Sequence, residues 1–184
     1  MSNEIIIESI KALKILPDRA EKENQQAEIQ ITVKNLSRTK NYNVFSSRRR
    51  IFYDSNTHTL VIGLSDNEKA YERILKQTTS VRESRHIISE ETFPTILTLL
   101  PGESRILKVN LPLIIKRIFV NPVNPFIVES SDISDLKKIE CIVSYDSASP
   151  YKKSKKELRN FRPFESWNFA KKVTITKLGK KVSK

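Results

Sequence analysis

The chain has 184 residues, of which 33 are Lys or Arg and 21 are Asp or Glu, a formal net charge of +12. It holds three glycines, two histidines and one cysteine. Gly63, Gly102 and Gly179 stand apart, so they cannot form the clustered loops that bring backbone against phosphate. One Cys and two His fall short of the four ligands of a Cys/His zinc site, and a lone Cys141 excludes an internal disulfide.

Ile and Val together number 33 and Thr 11, against six Ala, a composition suited to strands rather than helices. No apolar run reaches the roughly 18 residues of a membrane span. The start, Met1-Ser2-Asn3-Glu4, lacks a basic leader region, and Ile5-Ile6-Ile7 is too short for a signal core. Together with the unpaired Cys, this makes the cytoplasm the expected compartment. The charge is unevenly spread: residues 1–150 carry +2 and residues 151–184 carry +10.

In chain order, residues 5–16 read as a first strand whose alternation slips between Ile7 and Ile10, the mark of a bulge. After a polar loop from Pro17 to Gln26, Ala27 to Lys34 alternates apolar and polar without a break. Tyr42 to Tyr53 reads as one strand, which puts Arg48, Arg49 and Arg50 inside it, pointing to alternate faces. Asp54 to Thr57 forms a turn, and Thr59 to Leu64 returns as the partner. Ser65 with Glu68 has capping-box spacing, and Ala70, Tyr71, Ile74 and Leu75 fall on one helical face. Residues 77–91 form a polar loop.

Strand character resumes at Phe93 and runs through Leu100. Pro101-Gly102 has the order a type II turn requires, with Ile106 to Leu111 as the arm beyond it. Pro112, Pro122 and Pro125 punctuate an irregular apolar connection. Ser131 to Leu136 reads as a helical turn, with Asp132 and Asp135 at its start, and Ile139 to Tyr145 as a strand. Ala170 to Lys177 is the last strand, leaving 178–184 as a frayed basic tail on a single domain of residues 1–177.

These elements define an all-β fold: a two-sheet β-sandwich of about seven or eight strands with one or two short helical insertions. At fold level it resembles an immunoglobulin-like domain. It departs from that family's pattern in having no second Cys for Cys141, and in placing Trp167 after that Cys rather than before it.

Candidate chemistry is sparse. His58 lies in a turn and His86 in a polar stretch, and no Gly-x-Ser-x-Gly nucleophile motif occurs. Glu90 and Glu91 are adjacent, so in extended chain they point apart. Cys141 sits between strand residues, where a small buried hydrophobe is the usual role. An enzyme with an unrecognised site around Cys141 or His58 is therefore the weakest reading. No cofactor is expected.

The distinctive segment runs from Tyr151 to Lys172. It interleaves Lys152, Lys153, Lys155, Lys156, Arg159, Arg162, Lys171 and Lys172 with Tyr151, Phe161, Phe164, Trp167 and Phe169. Cations neutralise phosphates and aromatic faces stack on bases, which is the nucleic-acid reading, with Arg48, Arg49 and Arg50 as a second anion-binding group. Alternatively, the three-and-three spacing of Phe161, Phe164 and Trp167 packs one aromatic face against an end of the sandwich, with the lysines outward. The leading expectation is a non-enzymatic protein-interaction module of a larger assembly. A nucleic-acid-binding accessory protein comes second, and self-association stays open.

Overall fold

The computed structural model describes residues 4–15, 25–73, 95–119, 127–147 and 164–180. Among them the fold is all-β, and no described helix is long and apolar enough to cross a membrane.

The first sheet has the order β12-β1-β2-β7. Its centre is β1 (Ile5–Ile15) and β2 (Gln26–Asn35), antiparallel, with the register shifting between Ile7 and Ser9 where the alternation slips. Ile10 and Ala12 resume the inward face after that bulge. On β2, Ala27, Ile29, Ile31 and Val33 are all fully buried, one apolar edge of a period-2 strand. β7 (Ser104–Pro112) pairs with β2 and sends Leu107, Val109 and Leu111 inward. β12 (Gly179–Lys180) pairs parallel to Leu13 and Lys14 of β1, adding strand pairing beyond residue 177.

The second sheet is built on β10 (Lys138–Ser147). One side of β10 holds β11 (Asn168–Ile175). The other is shared between β5 (Thr59–Leu64), parallel over Lys138 to Val143, and β3 (Tyr42–Phe45), antiparallel from Tyr145. β4 (Arg50–Asp54) extends the sheet from β5, and β6 (Ile96–Leu99) extends it from β3. A central strand with both faces covered reads as a continuous buried run, and Ile139 through Ser144 are all buried.

Both sheets contribute to one hydrophobic core, which joins Ile29 and Ile31 of the first to Val44, Ile62, Cys141 and Val143 of the second. The outer face of the second sheet carries a smaller cluster of Phe52, Val61, Ile142, Ala70 and Tyr71. The last two come from a 3-10 turn, Glu68–Tyr71. Gly63 lets Tyr71 lie on β5, because a Cβ at Gly63 would sit 1.9 Å from the Tyr71 hydroxyl oxygen.

Several sequence expectations need correction. The run 42–54 is two strands: β3 ends at Phe45, β4 begins at Arg50, and Arg48 and Arg49 lie in the connection. No glycine or proline marks that break. The helical turn is capped by Asn67, whose side chain accepts from the Lys69 N–H, while Ser65 is buried and pairs its hydroxyl with Ser144 (2.6 Å). Ala70 and Tyr71 belong to the turn, whereas Ile74, Leu75 and the loop 77–91 lie outside the described residues.

The Pro101-Gly102 turn has the expected geometry, with Gly102 at φ +72 and the Glu103 N–H bonded to Leu100 O (3.1 Å). It does not join two arms of a hairpin, since β6 and β7 belong to different sheets. The connection after Pro112 contains a hairpin of its own, β8 (Ile114–Phe119) with β9 (Ile127–Asp132). That strand runs through Ser131 and Asp132, and Asp132 then accepts from the Ser134 N–H in a tight turn rather than starting a helix (2.8 Å).

Candidate functional site

The three arginines are held by the fold. Arg48 donates from Nη1 to the Asn110 carbonyl of β7 (3.1 Å). Arg49 is largely buried and pairs with Asp66 (2.8 Å). Arg50 lies over the Tyr71 ring, 4.9 Å from its centroid, and 3.6 Å from Glu68. The triplet therefore ties the β3–β4 connection to β7, to Asp66 and to the 3-10 turn.

Lys171 and Lys172 are also engaged. Antiparallel pairing puts Lys171 opposite Ile142 on the outer face and Lys172 opposite Cys141 on the inner one. Lys171 donates to the Ala70 carbonyl (2.9 Å) and lies 3.2 Å from Glu140 Oε1, while Arg73 bonds Oε2 of the same carboxylate. The Glu140 side chain is only 2% exposed, so these two cations compensate a charge beneath the turn. Lys172 bonds the Glu8 carbonyl and so links the two sheets along their β1–β11 side. Lys152, Lys153, Lys155, Lys156, Arg159 and Arg162 lie outside the described residues, as do Tyr151, Phe161 and His86.

Of the described aromatics of the C-terminal segment, Phe164 and Trp167 pack into the main core. Trp167 is 5% exposed, and its ring meets Phe45 and Phe164 edge-on, with centroids 5.1 Å and 5.4 Å away. Asn67 Nδ2 holds the Trp167 carbonyl (2.7 Å). Phe169 packs on the outer-face cluster.

An open, polar cleft of about 420 Å³ lies between the β4–β5 turn and the end of β9. Tyr53, Ser55 and His58 line one wall, and Ser130, Ser131, Asp132 and Asp135 the other. His58 turns the chain at φ 51, and its carbonyl accepts from the Lys137 and Lys138 N–H groups (3.0 and 3.2 Å). The Tyr53 oxygen is 3.3 Å from His58 Nδ1. Burial, with the charges of Asp135, Asp132 and Asp54, pushes the Tyr53 phenol pKa up, so it stays protonated at neutral pH. Among the described residues, no group of three or more His, Cys, Asp or Glu could hold a metal. Cys141 is buried in the core, away from this cleft, and burial with the Glu140 charge raises its thiol pKa. Sequence reasoning missed the cleft, because its walls come from segments more than seventy residues apart.

Large apolar side chains reach the surface elsewhere. Leu36 and Leu100 are exposed on two turns joined by Gly102 N–H to Ser37 O (3.1 Å) and by Asn35 Nδ2 to Leu100 O (3.0 Å). Ile106 of β7 is 57% exposed, and Val173 and Ile175 of β11 are exposed as well. No protein-family model, curated protein or solved structure matches the chain.

Proposed function

We propose that this chain is a non-enzymatic, immunoglobulin-like two-sheet β-sandwich of the cytoplasm that serves as a protein-interaction module of a larger assembly. The observation that carries this reading is the division of labour on its surface. Arg48, Arg49, Arg50, Lys171 and Lys172 are used in internal bonds, while Leu36, Leu100, Ile106, Val173 and Ile175 are presented to solvent. Exposed apolar residues at turns and on open strands are what a protein partner covers. The nucleic-acid alternative retains the charge excess of residues 151–184 as its support.

The deciding experiment is affinity purification of the tagged chain from its native host after brief cross-linking, with nuclease treatment in a parallel arm. One protein partner at a fixed ratio, retained at high salt and after nuclease, supports the interaction module. Loss of every partner on nuclease treatment, with salt-sensitive oligonucleotide binding that Lys152/Lys153/Lys155/Lys156→Ala abolishes, supports the alternative instead.

A further inference from the structure

We infer that the outer edge of β7 is a strand-docking site, and that its occupant is an extended segment of a partner protein carrying an apolar residue and a carboxylate two positions apart. This rests on the interaction reading above and locates it.

The ladder fixes which groups point out. Leu113 donates to Gln25 O, and Asn35 donates to Glu103 O, at the two ends of the β2–β7 pairing. In an antiparallel ladder the residues bonded to the neighbour alternate with residues whose N–H and C=O point away. The odd-numbered residues of β7 therefore face β2, and Ser104, Ile106, Lys108 and Asn110 direct their main-chain groups to the open side. The Arg48 bond to Asn110 O arrives from that side, as the alternation requires. Among the described residues no strand pairs there. β7 runs nine residues; among the described residues β11, with eight, β4, with five, and β6, with four, are also paired on one side only.

Edges this long are usually blunted. β7 has Pro112 at one end and Lys108 within it, yet Lys108 has no ion pair among the described residues, and Ile106 beside it is 57% exposed. The side chains that accompany the outward main-chain groups read Ser104, Ile106, Lys108, Asn110, with no carboxylate, and of these groups the Asn110 carbonyl already accepts from Arg48. Arg48 adds a second cation at the Asn110 end. A docked strand would gain main-chain hydrogen bonds along this row, with specificity from the side chains opposite Ile106 and Lys108. Charge selects the occupant. A second copy carries +12 like the first and sets its own Lys108 and Arg48 against these, whereas an acidic, alternating segment complements them.

The test uses the full chain and a fluorescein-labelled, end-capped peptide, Thr-Thr-Val-Thr-Glu-Thr-Thr, read by anisotropy. Two controls accompany it: a copy N-methylated on alternate amides, and a copy with Lys in place of Glu. Binding should fall by about tenfold or more with the N-methylated copy, and similarly in Ile106→Pro, which removes an outward N–H and no ladder bond. In Lys108→Glu the preference between the Glu and Lys peptides should reverse. Should Ile106→Pro fail to fold, the N-methylated peptide and the charge reversal decide.

No binding of the Glu peptide, equal binding of the N-methylated copy, or an unchanged preference in Lys108→Glu overturns the proposal. So does sedimentation as a dimer that Ile106→Pro dissociates, since the occupant would then be a second copy. A stoichiometric cellular partner held equally by the wild type and Ile106→Pro overturns the β7 site while leaving the interaction reading standing. Specific peptide binding without any cellular partner counts against the interaction reading alone.

Discussion

Tyr71 and Gly63 form a contact in which both members are needed. The Tyr71 ring is fully buried under Arg50, and its hydroxyl donates to the Ser65 carbonyl (2.8 Å). A methyl at Gly63 would meet that hydroxyl at 1.9 Å and the ring carbon behind it at 2.6 Å. Gly63→Ala should therefore destabilise the protein by about 2–3 kcal/mol in urea unfolding, since the ring must shift and its bond to Ser65 must stretch. Tyr71→Phe alone should cost about 1–2 kcal/mol through the carbonyl left unbonded. The double variant should cost less than the sum, because deleting the hydroxyl removes the closest clash. Strict additivity would mean that the two residues do not share this space.

Between elements, Asn35 and Glu103 hold the β2–β3 turn against the β6–β7 turn. Asn35 is fully buried, and its amide donates to the carbonyls of Lys40, Leu99 and Leu100 while accepting from the Ser37 N–H. Glu103 accepts from the Leu100 N–H (2.8 Å) and from Arg105, and these bonds lower its carboxyl pKa from 4.5. A lowered folded pKa stabilises the turn above the ordinary value, and that contribution is lost as pH falls through the lowered one. The Leu100 amide resonance should accordingly titrate with a midpoint below 4.5, and Glu103→Gln should flatten the transition. A midpoint at or above 4.5 would show that the bond is not made in solution.

The Pro101-Gly102 turn was legible because its residues dictate its dihedrals, and the alternation of Ala27 to Val33 was legible for the same local reason. The Arg48–Arg50 break was not, since nothing in Phe45-Ser46-Ser47 forbids continued strand. The β8–β9 hairpin hid behind Pro112, Pro122 and Pro125, which suggested irregular chain. The cleft of Tyr53, His58, Asp132 and Asp135 and the place of β7 at the end of its sheet are products of pairing order, which no single segment encodes.

For the molecule as a whole, the single Trp167 gives one reporter of packing. It sits in the core with Phe45 and Phe164, at the entry to β11. Its emission should be blue-shifted and barely quenched by iodide, although the +12 charge attracts that anion. Urea should restore quenching in the same transition that abolishes the far-ultraviolet strand signal. Strong native quenching would mean that the aromatic end of the domain is open.

The chain also has a timetable imposed by β10. The hydroxyls of Ser65 and Ser144 meet across 79 residues of sequence, and β5 and β3 both take their places beside the same late strand. Such distant pairing is slow to form. During synthesis β3 and β5 leave the ribosome long before their shared partner exists. Until then the half-made sheet depends on whatever shields it, and a product terminated ahead of Lys138 would stay in that state.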